Sequence, residues 1–349
     1  MKILRRIARA ARTSATAVAF AIAANAATAA GVIVLPAPPQ SGPVTVFYPT
    51  GATPSRYVGG PFSFELAADA APLRGNGHLL VMSHGSGGSP WPQADLALAF
   101  VAAGFTVAMP EHAGDNFHDM SAVGPVTWRH RPKEVSQAID AMAADPRFAP
   151  LLDFKHVGVY GMSAGGLTAL TLAGARWSPA LLNAHCQVHL TEDFPGCVGL
   201  ATSLTGGLLD PLRVAIARRV IDYKLGDQKA LEQWTDPRVT VAVAAVPMAA
   251  PIELSSLAAP RITLGLVRAG KDAWLAPQWH IDAVRAACKT CVLVADMPEG
   301  GHGSILSPQP AELSPRAARL LNDPPGFDRT TLPAVDAAIT AFFIQNLMP

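Results

Sequence analysis

Val157-Gly158-Val159-Tyr160-Gly161-Met162-Ser163-Ala164-Gly165-Gly166-Leu167 is a short apolar run that passes through a glycine-rich turn into a helical pattern continuing to Ala173. A brief, uninterrupted apolar run predicts a strand buried on both faces, as in a parallel sheet covered by helices. Gly161 to Gly165 also fit G-x-S-x-G. On a sharp strand-to-helix turn, a serine hydroxyl stands clear of the sheet, and small neighbours are needed because helix and strand approach closely. In a chain with 29 glycines the motif alone says little, and a plain Gly/Ser turn is its alternative. Context gives it weight, because a buried strand precedes it and a helix follows.

The same rhythm extends in both directions. Upstream, Leu79 to Met82 is another buried strand, running into Ser83-His84-Gly85-Ser86-Gly87-Gly88. Asp95 to Ala103 then predicts a helix, Phe105 to Met109 a strand stopped by Pro110, and Lys133 to Ala144 a helix with Val135, Ala138, Ile139 and Met142 at helical spacing. Val44 to Tyr48 and Phe62 to Leu66 predict two earlier strands. Downstream, Val239 to Val246, Arg261 to Val267 and Cys291 to Val294 predict strands, and Pro277 to Ala287 and Pro333 to Leu347 predict helices. Residues 175–238 break the rhythm and read as an insertion, with a helix over Leu212 to Leu225, lying over the C-terminal edge of the sheet. The expected fold class is therefore α/β, a mostly parallel sheet with helices on both faces and an insertion before the C-terminal strands, occupying residues 44–349.

Serine needs a base at neutral pH, a task suited to histidine. Of ten histidines, His302 in Glu299-Gly300-Gly301-His302-Gly303 follows the last predicted strand and comes after the serine. A surface histidine is the alternative. The carboxylate that would orient it belongs at a strand end, and Asp272, in the loop leaving Leu264-Gly265-Leu266-Val267, fits; Asp296 and Glu253 compete with it. Backbone N–H groups of Ala164 and Ser86 are the candidates for stabilising negative charge on a carbonyl oxygen. The glycine loop holding Ser86 has a rival reading as a phosphate cradle, but no G-x-x-x-x-G-K-[ST] is present. His84, His112, Phe117, Trp128, Met162 and Trp274 are candidate pocket residues, with ordinary packing as the alternative for each. Glu111-His112-x-x-Asp115-x-x-His118-Asp119 can be drawn as a metal site, but its spacing fixes no geometry, and a loop at the rim of the site is the preferred reading. No metal and no cofactor are expected.

The chain has 349 residues, 50% apolar and 15% charged, which suits a compact protein. Setting aside Lys2, Arg5, Arg6, Arg9 and Arg12 leaves 22 basic against 26 acidic side chains, a balance of −4. Such a body offers no basic stripe for nucleic acid. Those five residues, the apolar run Ala15 to Ala24 and the small-residue end Ala27-Thr28-Ala29 form the three parts of an export signal over residues 1–29, with cleavage near Ala29 or Ala30. An uncleaved anchor is the alternative, but the run falls short of the roughly 20 apolar residues a bilayer needs. Residues 30–43 read as a Pro-rich linker. Periplasmic or secreted location is the expectation. Four cysteines fit it, with Cys186–Cys197 and Cys288–Cys291 as the economical pairings among three connectivities.

Taken in order, several motifs resemble α/β-hydrolases similar to dienelactone hydrolases, and within them bacterial proteins that look like platelet-activating-factor acetylhydrolases. The likeness spans roughly Val44 to His302 and rests on Val44-Thr45-Val46-Phe47-Tyr48-Pro49, Ser83 to Gly88, Pro110-Glu111-His112-Ala113-Gly114, Arg131-Pro132-Lys133-Glu134-Val135, the Ser163 turn, Gly270-x-Asp272 and Gly301-His302. The resemblance implies hydrolysis of carboxylic esters through an acyl-enzyme, with Ser163, Asp272 and His302 as triad, on substrates from small acyl esters to lipids and polyesters. Two departures stand out: Met162 where such proteins often carry histidine, and serine rather than the cysteine nucleophile of dienelactone hydrolases proper. Amide hydrolysis and an inactive binding protein on the same scaffold are the alternatives.

Overall fold

The computed structural model describes residues 29–36, 41–310 and 312–348. The export signal expected over residues 1–29 lies outside them except for Ala29. Strands β1 (Ala29–Leu35), β2 (Val44–Thr50), β3 (Ser55–Gly59) and β4 (Phe62–Ala68) come first. Alternation follows in β5 (His78–Ser83), α1 (Ala94–Ala102), β6 (Thr106–Pro110), α2 (Pro125–Ala144), β7 (Asp153–Met162) and α3 (Ala164–Leu172). The inserted stretch holds β8 (Arg176–Trp177), α4 (Pro179–His189), α5 (Phe194–Val198) and α6 (Asp210–Leu225). The chain closes with β9 (Val239–Ala245), β10 (Ile252–Glu253), β11 (Thr263–Ala269), α7 (Ile281–Ala287), β12 (Val292–Met297), α8 (Pro315–Leu321) and α9 (Leu332–Leu347).

Ten strands form one sheet in the order β12-β11-β9-β7-β5-β6-β2-β1-β4-β3. From β12 to β6 every neighbour is parallel, and β2 joins β6 antiparallel. The parallel strands alternate between two cores. On β5, Leu79 and Val81 face the layer holding α2 and α3, while Leu80 and Met82 face the layer of α1 and α9. That two-sided burial is why β5 is continuously apolar over residues 79–82.

Chain order reverses at β5. The connection from β5 goes through α1 to β6 on one side, and the connection from β6 returns through α2 to β7 on the other. Loops leaving β5 and β7 therefore part toward opposite faces and open a crevice at the C-terminal strand ends, where ligands bind in folds of this kind.

The stretch expected as a linker over 30–43 is in part a strand. β1 pairs antiparallel with β2 along its whole length, Ala29↔Thr50 to Leu35↔Val44, so the sheet begins at Ala29 rather than at Val44. The helix expected from Lys133 begins eight residues earlier, at Pro125, with Pro132 inside it. Pro277 to Ala287 is a short 3-10 turn, Pro277–Trp279, followed by α7. The insertion is anchored to loops at the C-terminal strand ends. Trp177 of β8 pairs with Ile252 after β9, and the Asp193 carboxylate, before α5, accepts from His280 Nε2 (3.0 Å) and from His185 Nε2 (2.8 Å). Burial works to raise the Asp193 pKa, but hydrogen bonds from the two histidines prevail and hold it below the usual carboxylate range. Disulfides Cys186–Cys197 and Cys288–Cys291 both form, matching the pairings expected. Among the described residues, no helix is long and apolar enough to cross a membrane.

Candidate active site

Ser163 stands between β7 and α3 at φ 59°, ψ −116°, one of three non-glycine residues with positive φ among the described residues. Such a conformation is costly and is retained only where surrounding structure imposes it. Here the Ser163 N–H donates to Ala245 O at 3.0 Å, and its carbonyl accepts from Leu167 and Met248. The flanking glycines are required sterically. A Cβ on Gly161 would lie 1.9 Å from Gly165 O, one on Gly165 would lie 1.9 Å from Ser83 O, and one on Gly166 would lie 2.7 Å from Pro247 Cα. Strand, helix and the loop after β5 are thus pressed together at the serine, as the motif's small residues predicted.

The Ser163 Oγ is 2.9 Å from His302 Nε2, and His302 Nδ1 is 2.7 Å from Asp272 Oδ2. The other Asp272 oxygen accepts from the N–H groups of Trp274 and Leu275, both at 2.8 Å, which fixes the carboxylate's orientation. Loops after β11 and β12 are zipped together by Gly270 N–H to Met297 O and Lys271 N–H to Gly300 O, both 2.8 Å. This zip brings Asp272 beside His302 from 30 positions away. The two competing acids are engaged elsewhere: Asp296 pairs with Arg268 at 3.2 Å and Glu253 with Arg176 at 2.6 Å. A serine, an imidazole and a carboxylate so connected can pass a proton from hydroxyl to ring while the ring stays oriented.

The His302 loop has supports with no sequence motif. Ser304 Oγ accepts from Gly301 N–H (2.8 Å) and donates to Asp323 Oδ1 (2.7 Å), and Asp323 is ion-paired with Arg329 at 2.6 Å. The residues involved are separated by loops and α8, so only the fold joins them.

Expected pocket residues divide into three groups. His84 and His112 do not line an open wall; they are sealed behind the loop after β5, 1% and 0% exposed. His84 Nδ1 bonds Gly85 O (2.7 Å), and its Nε2 accepts from His112 N–H (3.2 Å), which requires the proton on Nδ1. His112 lies between Ser83 Oγ (2.7 Å) and Glu134 Oε2 (2.6 Å). Burial is the main cause that keeps both histidines neutral, with the Arg131 charge adding to it. Phe117 is 71% exposed, on a loop tied to the one after β5 by Phe117 N–H to Gly88 O. Met162, Trp128 and Trp274 are packed. Met162 Sδ lies 3.3 Å from where a Gly85 Cβ would stand, Trp128 meets Trp177 edge-on at 5.8 Å, and Trp274 packs against the α2/α3 core.

The stretch that could be drawn as a metal site is likewise divided. His112 and Asp115 are internal and fully hydrogen-bonded, whereas His118 and Asp119 are exposed. Among the described residues one group, His185, Asp193 and Cys197, has ligand atoms close together. The Cys197 sulfur is taken by Cys186, which leaves two ligands.

Sheet order, crevice and strand-to-helix turn are those of the α/β-hydrolase fold. A solved structure of ferulic acid esterase from Streptomyces cinnamoneus is similar over 93% of this chain and 91% of its own, with a TM-score of 0.58 and 16% identity. At that identity the likeness concerns the fold. No protein-family model matches the chain. No curated protein matches it either.

Proposed function

We propose that this protein is a serine hydrolase of carboxylic esters, with Ser163 as nucleophile, His302 as general base and acid, and Asp272 as the group that orients the imidazole. The observation that carries this is the unbroken contact from Ser163 Oγ through His302 to Asp272 on a strained strand-to-helix turn. The proton of Ser163 moves to His302 Nε2 as Oγ adds to the ester carbonyl. Negative charge then builds on the carbonyl oxygen, and the N–H groups of Ala164 and Ser86 receive it. Ala164 opens α3, so its N–H has no partner within the helix. The loop carrying Ser86 is pressed on Ser163, since a Cβ on Gly85 would lie 3.3 Å from Ser163 Cβ. Each such donor supplies about 3 kcal/mol of transition-state stabilisation. His302 next gives its proton to the departing alkoxide, and water, activated by the same ring, releases the acid from the acyl-enzyme.

Exposed apolar side chains against the loop after β5, Phe117 and Met120, favour esters with an apolar portion over small polar ones. The export-signal pattern expected over residues 1–29, two disulfides and the absence of free cysteines among the described residues fit a periplasmic or secreted enzyme. The deciding experiment treats the full chain with a fluorophosphonate and maps the adduct. Stoichiometric labelling at Ser163 with loss of turnover is expected on p-nitrophenyl esters of graded length, with a phospholipid, a polyester and a feruloyl ester beside them. Intact protein left unlabelled, with none of these esters hydrolysed, would point instead to a binding protein on this scaffold.

A further inference from the structure

The donor from Ser86 is held by a loop that has no regular structure of its own, and a misplacement of about 1 Å is enough to weaken such a donor. One buried ion pair fixes it. Asp115, 0% exposed, accepts from Gly87 N–H through Oδ1 at 2.9 Å, and through Oδ2 from Ser86 Oγ at 3.1 Å, Thr127 Oγ1 at 3.2 Å and Arg131 Nη2 at 2.8 Å. Arg131, also 0% exposed, sends its remaining contacts to the same place. Nη1 donates to His84 O at 2.5 Å, and Nη2 approaches Gly85 O at 3.4 Å and Asp115 O at 3.3 Å.

The pair therefore grips residues 84, 85, 86 and 87 in succession, from both carbonyl and amide sides. Its partners come from three elements: the loop after β5, the loop after β6, and α2. An ion pair buried so completely is weak evidence for stability, because desolvation offsets the attraction. Every hydrogen bond it makes outside Asp115, Arg131 and Thr127 goes to the Ser86 loop. We infer that Asp115 and Arg131 are positioning residues, which act through the loop they hold to set the Ser86 amide at the carbonyl oxygen under attack. This rests on the hydrolase reading above.

The test compares Asp115→Asn, Ser86→Ala and Thr127→Val with the native chain, using a turned-over p-nitrophenyl ester and a trifluoromethyl ketone of the same acyl group. Ser163 Oγ adds to that ketone and passes its proton to His302, leaving an oxyanion that needs the same donors. Fluorophosphonate titration counts competent sites. Asp115→Asn is expected to lower kcat per titrated site about 10- to 100-fold and ketone affinity by a like factor, with KM within about threefold and the pH midpoint of kcat/KM unmoved. Unchanged kcat per titrated site and unchanged ketone affinity, with only fewer sites or a lower Tm, would make the pair purely structural and overturn the inference. If Asp115→Asn does not fold, Ser86→Ala and Thr127→Val decide: each should cost about 2- to 10-fold in both readouts at near-native Tm, and no change in either overturns it. Failure of the hydrolase reading looks different, as full turnover by Ser163→Ala or a native chain that neither turns over ester nor binds the ketone, and it removes both proposals together.

Discussion

Two chains of serine, histidine and carboxylate lie about one loop apart in this molecule, and they differ in what surrounds them rather than in how they are bonded. Ser163, His302 and Asp272 are joined at 2.9 and 2.7 Å; Ser83, His112 and Glu134 are joined at 2.7 and 2.6 Å. The first serine stands on a strained turn at the mouth of a crevice, partly exposed. The second, the last residue of β5, is fully buried, and its histidine is sealed with it. The carboxylates differ too. Asp272 is held by two backbone N–H groups beside the aspartate oxygen that does not meet the ring, whereas Glu134 has one, from Ala113 at 3.0 Å, and burial pushes its pKa up to about 7. Hydrogen-bond connectivity is therefore not what makes a triad. Under the proposed hydrolase reading, access for a carbonyl carbon and donors for its oxygen separate the Ser163 array from an internal brace that ties β5, the loop after β6 and α2 together.

The largest expected effect falls on the first array. Ser163→Ala should lower kcat by roughly 10⁴-fold or more while the protein stays folded, whereas Ser83→Ala should keep fluorophosphonate labelling at Ser163 near stoichiometric. Loss of labelling in the Ser83 variant, with far-UV and near-UV circular dichroism unchanged, would erase the distinction between the arrays.

Next come the carboxylates. Asp272→Asn is expected to reduce kcat on the order of 10⁴-fold at unchanged fold, because the amide favours the wrong imidazole tautomer. Glu134→Gln should instead leave kcat per titrated site within about threefold and act on stability, by roughly 1 kcal/mol, since an amide N–H replaces the stronger carboxyl proton against His112 while the amide oxygen still accepts from Ala113. Steady-state kinetics beside urea denaturation separates the two, and equal kinetic losses in both variants would contradict the assignment.

A smaller effect concerns pH. Between about 4.5 and 7 the folded protein keeps a proton on Glu134 that the unfolded chain has lost, so this group's contribution to stability falls as pH rises through that window. His112 acts in the opposite sense: it stays neutral when folded, while the unfolded chain gains a proton below about 6.5, so its contribution falls as pH drops. In the native chain the two largely offset each other. Glu134→Gln removes the first, so stability between pH 5 and 6.5 should rise with pH more steeply, by about 1 kcal/mol per pH unit. Urea midpoints at three pH values measure the slope, and a slope equal to that of the native chain would show that Glu134 ionises normally.

The smallest expected change is the stability of Ser83→Ala itself, about 1–2 kcal/mol for a buried hydrogen bond lost to His112. A loss above about 4 kcal/mol would mean that Ser83 braces more than the single ring it touches.

Much of this was legible in the chain because it is local. The buried strands β5, β7 and β9 announce themselves through apolar stretches over residues 79–82, 157–160 and 241–245, and the turn at Ser163 needs glycines two positions before it and two and three after it. What escaped was short, edge-placed or obscured. β1 follows an Ala-rich stretch and runs into proline-rich sequence, β3 is a short, mostly exposed strand at the sheet's edge, and the start of α2 is masked by Pro132 and by side chains that face a polar interior. His84 and His112 looked like pocket residues because composition shows a histidine's chemistry but not whether solvent reaches it.

Sequence by itself determined a doubly covered parallel sheet, a serine on its sharp turn and a histidine past the last strand, since each depends on residues a few positions apart. Tertiary structure decided which carboxylate meets His302, that Asp115 and Arg131 hold the Ser86 loop, and which serine–histidine array opens to the crevice. Those contacts join residues 16 to 139 positions apart, and their existence depends on burial and on strand order, quantities that periodicity does not carry.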